Sequence, residues 1–181
     1  MDEKKQKYIP VMLDVSEKKI LMIGAGKACA EKLRGLQAAG VEITLIAPTR
    51  EDAFLDKPWI HYEKRKYKRG DLEGYDVVYM GVNDTDTKNA IIKDAAGMNI
   101  LINIVDDPGN SDFISPAMIK MDHFAVFIST YGKGPGMTKK IRQTLEKEVN
   151  LRQLDIETKQ YIEARNARLY NNPKKDKREP S

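Results

Sequence analysis

The chain is poor in the residues that build sites without help from a fold. It has one cysteine and two histidines among 181 residues. A single cysteine excludes an internal disulfide framework and fits a reducing cytoplasm. One cysteine and two histidines also argue against a dedicated Cys/His metal site. No apolar run is long enough to span a bilayer, so no membrane partner is expected. The opening MDEKKQKYIP is charged with no apolar core behind it, so no secretory signal is expected either. The net charge of +4 and pI near 9.0 invite a nucleic-acid reading. The basic excess, however, sits in the C-terminal segment, chiefly NNPKKDKREPS. That placement reads as a solvated, disordered tail, and no nucleic-acid partner is expected. There is no internal repeat and no low-complexity core.

What the chain does have is an apolar run, Ile20-Leu21-Met22-Ile23, ending on Gly24-Ala25-Gly26. A helical pattern follows, with Ala28, Leu33 and Leu36 on one side, and stops at Gly40. Strand, glycine turn and helix form the entry unit of a dinucleotide-binding fold. Gly24 allows the tight turn, and Gly26 lets a pyrophosphate approach the helix N-terminus. The third fingerprint position, usually Gly or Ala, is Cys29. The other reading of this segment is a tight turn with no ligand.

Apolar strands recur with helical segments between them. Strands are expected at about 19–23, 42–46, 60–63, 76–80 and 100–105, and helices at about 27–39 and 84–96. Tyr8 to Val15 is an edge strand or a lead-in. The alternation predicts an α/β fold, a Rossmann-like parallel sheet with helices on both faces. After Pro108 the pattern changes. Phe113-Ile114 and 124–129 read as β, separated by residues 116–120. A glycine-rich turn, 131–136, leads into helices at about 138–150 and 151–170. The expected organisation is a Rossmann domain over 1–112, a small α+β dimerisation module over 113–150, a helical segment over 151–172 and a tail over 173–181. Two strands and two helices bury little surface alone, which predicts a homodimer.

Ligands of open parallel sheets bind at the carboxyl ends of the strands. Four segments reach that edge: Gly24–Gly26, 47–49, 81–84 and 103–107. The residues expected at the cofactor are Gly24, Ala25, Gly26, Lys27, Ala28, Ala47, Pro48, Asn83 and Asp84. The acid that usually ends the second strand is missing, with Ala47-Pro48 in its place. This removes the usual argument for NAD over NADP. Arg50 is either solvated or meets a 2′-phosphate, and the ribose is otherwise held by backbone or Thr49. Asp106 and Asp107 follow a buried strand. Adjacent carboxylates seldom point the same way, so one is expected to be functional. A turn role before Pro108 suits Asp107 better. His61 reads as structural or exposed, and His123 as a surface turn residue. Ser129 and Thr130 either bond substrate carboxylates or cap the following turn.

Taken in order, these motifs resemble the precorrin-2 dehydrogenases, including the N-terminal half of siroheme synthase and the bifunctional dehydrogenase/ferrochelatases. The resemblance covers about residues 8–150. It runs through Ile9-Pro10-Val11-Met12-Leu13-Asp14, the glycine turn with Lys32, Ala47-Pro48, Asn83-Asp84 with Asn89, and Asn103-Ile104-Val105-Asp106 with Pro108. It continues through Phe113, Pro116-Ala117, and Ile128-Ser129-Thr130 with Gly132 and Pro135. The family also lacks the ribose acid. The chain departs from its pattern at Ala25, Ala28-Cys29, Glu31, Gly134 and Met137-Thr138-Lys139. The resemblance implies NAD as cofactor and oxidation of precorrin-2 to sirohydrochlorin in siroheme or related tetrapyrrole synthesis. It also implies a Rossmann domain, a dimerisation module and a helical C-terminal module. The family's essential aspartate maps onto Asp106. A carboxylate-rich tetrapyrrole needs cations and hydroxyls, for which Asn103, Ser129, Thr130, Lys133 and Lys139 are candidates. Two alternatives remain: a bifunctional enzyme that also inserts Fe²⁺ or Co²⁺ into sirohydrochlorin, and a non-catalytic NAD-sensing module.

Overall fold

The computed structural model describes residues 8–170. The tail expected over 173–181 lies outside the described residues. The described chain divides into two compact units, one of residues up to 115 with 131–133, the other of 116–130 with the residues from 134 onward.

The first unit is a five-stranded parallel sheet. Its strands are β1 (Ile20–Ile23), β2 (Ile43–Ile46), β3 (Ile60–Glu63), β4 (Val77–Met80) and β5 (Leu101–Ile104). Their order is β3-β2-β1-β4-β5, all parallel, so the strand order reverses between β1 and β4. Helix α1 (Lys27–Ala39) follows β1, and α2 (Thr85–Ala95) follows β4. The period-2 alternation of each strand divides the core in two. Ile20 and Met22 of β1 pack with Ile43, Leu45 and Val77 against Cys29, Leu33 and Leu36 of α1. Leu21 and Ile23 face the other way, with Val78, Met80, Ile102 and Ile104 against Ile91 of α2. Each fully buried Leu, Ile or Met contributes about 1.5–3 kcal/mol, so this double-sided core fixes the sheet register.

No helix connects β3 to β4. The 64–76 segment crosses there instead, with Leu72 buried in the α2-side core. Arg65 bonds the Asp71 carboxylate through both terminal nitrogens (2.6 and 3.0 Å), and the Tyr67 hydroxyl donates to Asp94 of α2 (2.9 Å). The Tyr8–Val15 segment forms no strand; the Tyr8 hydroxyl donates to the Pro108 carbonyl at 2.9 Å.

The second unit contains the antiparallel pair β6 (Ala117–Lys120) and β7 (Ala125–Ile128), then α3 (Pro135–Glu148) and α4 (Leu151–Tyr170). The strands of this unit differ from those expected. Phe113-Ile114 is not a strand, and the segment read as a separator supplies β6. Phe113 instead meets the Tyr79 ring edge-on at 5.5 Å, within the first unit. Helix α3 also begins three residues earlier than expected, because Pro135 takes the first helical position, where its missing N–H costs nothing. Asp155 of α4 is buried and accepts from both the backbone N–H and Nδ1 of His123, tying the β6–β7 turn to the helix. No helix among the described residues is long and apolar enough to cross a membrane.

Candidate functional site

The turn after β1 sits where the strand order reverses. Gly24 has a φ of +94°, and a Cβ there would overlap the Gly81 carbonyl. Only glycine meets both demands. Two backbone bonds hold the turn in place: Gly24 N–H donates to Ile46 O (2.9 Å), and Gly81 N–H to Ile23 O (2.8 Å). Helix α1 starts from Gly26 with no side-chain cap and no acid in its first turn. The space a Cβ would take at Gly26 is open. Uncapped N–H groups, the positive end of the helix dipole and open space suit a pyrophosphate. The residues present therefore fit a dinucleotide.

Cys29 takes the fingerprint position where α1 packs on the sheet. It is 1% exposed, and a Cβ on Gly81 would collide with its sulfur. The missing side chain at Gly81 makes the room that a smaller residue at position 29 would not need. Burial pushes the Cys29 thiol up to about 11, nearby Asp106 adds to the rise, and Lys32 opposes it. The thiol is thus protonated and inert at neutral pH.

Asp106 lies in the turn two residues past β5, in the left-handed region, with a φ of +62°. Such a backbone costs about 1 kcal/mol for a residue with a Cβ, and Asp is among those that tolerate it. Asp106 is exposed. Its electrostatic neighbours include Cys29 and Lys32, one helical turn apart on α1. Burial pulls the Lys32 ammonium below the usual lysine range, against Glu31, Asp106 and Cys29, which favour its charge. Asp107 is occupied differently. Its carboxylate accepts from Lys88 (2.5 Å) and from the Asn110 side chain (3.0 Å) and backbone N–H (3.3 Å). Lys88 first, then Asn110, holds it below the usual carboxylate range. Asn103 is 4% exposed; its Nδ2 donates to the Phe113 carbonyl (2.7 Å), and its Oδ1 is buried without a partner.

The loop after β2 runs beside the glycine turn, with Glu51 N–H donating to Ala25 O at 3.1 Å. Ala47 is buried and Pro48 exposed. At the end of β4, Asn83 is exposed, and Asp84 caps α2 by accepting from the Thr87 N–H (2.8 Å) and hydroxyl. The structure thus brings Gly24, Ala25, Gly26, Lys27, Ala28, Ala47, Pro48, Asn83, Asp84 and Asp106 to one edge of one sheet. Asn103 lies one turn of strand inside it. Lys133 belongs to the same unit, in a turn whose Gly132 closely approaches Pro108.

Ser129, Thr130 and Lys139 belong to the second unit. The Thr130 hydroxyl is taken up locally: it accepts from the Gly134 N–H (3.1 Å) and pairs with the Thr138 hydroxyl (3.0 Å). Ser129 and Lys139 are exposed. Sequence reasoning missed the pairing of Cys29 with Gly81 and the Lys32 neighbour of Asp106. A glycine directly after β4 and a lysine three residues beyond Cys29 were the available signals.

The NAD_binding_7 family model, described as NAD(P)-binding, matches residues 11–117. The chain belongs to this NAD(P)-binding family. The match spans the whole sheet and every cofactor-edge segment described above. Siroheme synthase 2 of Aeromonas hydrophila is 30% identical over 142 residues, covering 77% of this chain and 30% of that protein. The siroheme synthase of Blochmanniella pennsylvanica is 32% identical over 142 residues, with the same coverage. The chain therefore spans about three tenths of the length of these relatives. Among solved structures, SirC, precorrin-2 dehydrogenase, superposes with a TM-score of 0.66 at 24% identity, covering 79% of this chain and 72% of that one. That likeness extends the shared fold of this NAD(P)-binding chain beyond the sheet.

Proposed function

We propose that this chain is an NAD-dependent dehydrogenase of the cytoplasm that oxidises precorrin-2 to sirohydrochlorin, and that it works as a homodimer. Its relatives are siroheme synthases, and its fold is shared with a precorrin-2 dehydrogenase. The observation that carries the reading is Asp106: an exposed carboxylate in a strained left-handed backbone, at the sheet edge that holds the glycine turn. Strain of this kind persists where the surrounding fold over-determines it, and it clusters at functional sites.

In this reading Gly24 and Gly26 let the pyrophosphate reach the uncapped end of α1. When bound, the nicotinamide supplies the acceptor for a hydride. The substrate loses a hydride and a proton, and Asp106 takes or orients that proton at its carboxylate. Lys32, its electrostatic neighbour on α1, adds a cation to the same edge. Asn103 fixes the Phe113 backbone beneath this edge through its Nδ2, while its Oδ1 is buried without a partner. Asp107 keeps the following turn closed through Lys88 and Asn110. Lys133 supplies a cation for a carboxylate-rich substrate.

The test is anaerobic incubation of the full chain with precorrin-2 and NAD, following NADH and the tetrapyrrole spectrum together. Matched appearance of NADH and sirohydrochlorin is expected. Asp106→Ala should abolish turnover while dinucleotide binding persists. Full activity in that variant would remove Asp106 from the mechanism, and no turnover with NAD still bound would favour a sensor.

A further inference from the structure

The segment that leaves β3 crowds positive charge into a fixed backbone. Residues 63–71 hold five cations and two acids. Alternate side chains turn inward: Arg65 and Tyr67 are partly buried, while Lys64, Lys66 and Lys68 are exposed. The inward pair holds the chain in place. Arg65 bonds Glu63 (2.7 Å), the Lys66 carbonyl (3.2 Å) and Asp71, and Tyr67 bonds Asp94 of α2. The Lys68 N–H donates to the Asp71 carboxylate at 2.7 Å. A charge run that serves only to keep a surface wet needs no such framework.

The same contacts occupy the nearby acids. Glu63 and Asp71 are engaged by Arg65, and Asp94 by Tyr67 and Arg69 (3.7 Å). Among the described residues no ion pair joins Lys64, Lys66 or Lys68. The strip also borders the edge where Asp106 lies. It starts at Glu63, whose carbonyl accepts from the Ala47 N–H at the end of β2 (3.2 Å). Lys66 is an electrostatic neighbour of Asp84, the cap of α2. One helical turn on, about 6 Å along the axis, Lys88 holds Asp107, the residue after Asp106.

We propose that Lys64, Lys66 and Lys68 form a cationic rim that attracts the carboxylates of the tetrapyrrole and guides it to the Asp106 edge. This rests on the precorrin-2 reading above and deepens it, because a fixed local field of one sign speeds the approach of a polyanion. The test is stopped-flow binding of sirohydrochlorin to the full chain, followed in the tetrapyrrole spectrum. It is run at low salt and at about 0.2 M salt, where exposed charges are screened beyond about 10 Å. The parent's association rate should fall about tenfold on adding salt. Lys64→Gln, Lys66→Gln and Lys68→Gln together should slow association about tenfold at low salt and match the parent at high salt. Lys64→Arg, Lys66→Arg and Lys68→Arg together should keep the parent's rate. Lys19→Gln, Lys93→Gln and Lys159→Gln together remove the same charge from exposed positions elsewhere and should slow association far less. Equal slowing by that control would assign the effect to net charge and overturn the inference. An unchanged rate in the first triple variant would overturn it too, and in both cases the precorrin-2 reading stands. If the parent binds no sirohydrochlorin, that reading falls and the rim with it.

Discussion

Gly81→Ala tests how the chain accommodates Cys29 at its glycine turn. The new methyl would occupy space held by the Cys29 sulfur, and its next neighbour is Val105 Cγ2 at 3.4 Å. Gly81 is not in a left-handed conformation, so the penalty is collision alone. Overpacking of this kind costs about 1–3 kcal/mol. Cys29→Ala removes one buried heavy atom, at about 1 kcal/mol. In the double variant the methyl added at position 81 moves into the space the sulfur vacates. Its stability should therefore return close to the parent, with a coupling of about 2 kcal/mol between the two sites. At about 2–4 °C per kcal/mol, Gly81→Ala should melt about 4–8 °C below the parent and the double variant within a few degrees of it. Dinucleotide affinity should follow the same order, because Gly24 rests on the Gly81 carbonyl. Paired thermal melts and titrations measure both. Additive losses, with the double variant the least stable of the set, would refute the reasoning.

The buried thiol makes a second prediction. A group whose folded pKa is raised gives stability that is present below its unfolded value and lost as pH climbs through the folded value. For Cys29 that window runs from 9.0 to about 11. Unfolding in urea should show a loss of up to about 2–3 kcal/mol across it, which Cys29→Ala should largely remove. Asp106→Gly should relieve the left-handed backbone and stabilise the fold by about 0.5–1 kcal/mol while losing turnover, a divergence that melts and NADH assays would detect. Asp107→Ala should do the reverse, costing about 1–2 kcal/mol through the lost Lys88 and Asn110 bonds and leaving the rate per folded molecule near the parent's. In the parent, because Asp107 is held below its usual range, its contribution should be present above that range and fade as pH falls through the folded value. Asp155→Ala should free the β6–β7 turn from α4, seen as faster amide exchange at residues 121–124.

The regular elements were legible where one residue pattern suffices. The bounds of α1 follow from helical periodicity and its stop signal, Gly40, and α4 starts where the sequence reading put it, at Leu151. The strands of the parallel sheet follow from short apolar runs, to within a residue at each end. The cofactor edge was legible because glycines after a strand and residues just beyond strand ends keep their place in any doubly wound sheet. The second unit was less so. Phe113-Ile114 and Ala117–Lys120 are both short and apolar, and a two-stranded pair is chosen by which segment can register against Ala125–Ile128. That choice depends on a partner strand and is not written in either segment. Gly134-Pro135-Gly136 reads as a turn, yet Pro135 starts α3.

Composition and order along the chain determined the fold class, the glycine turn and the edge where a ligand belongs, because these depend on backbone conformation and periodicity. Tertiary structure alone decided what each side chain at that edge does. It gave the Asp107 carboxylate to a turn and Thr130 to a local cap, left Asp106 exposed beside Lys32, opened Gly81 for Cys29 and laid Arg50 on the Tyr62 ring. Those outcomes depend on distances between residues far apart in sequence, which only packing sets.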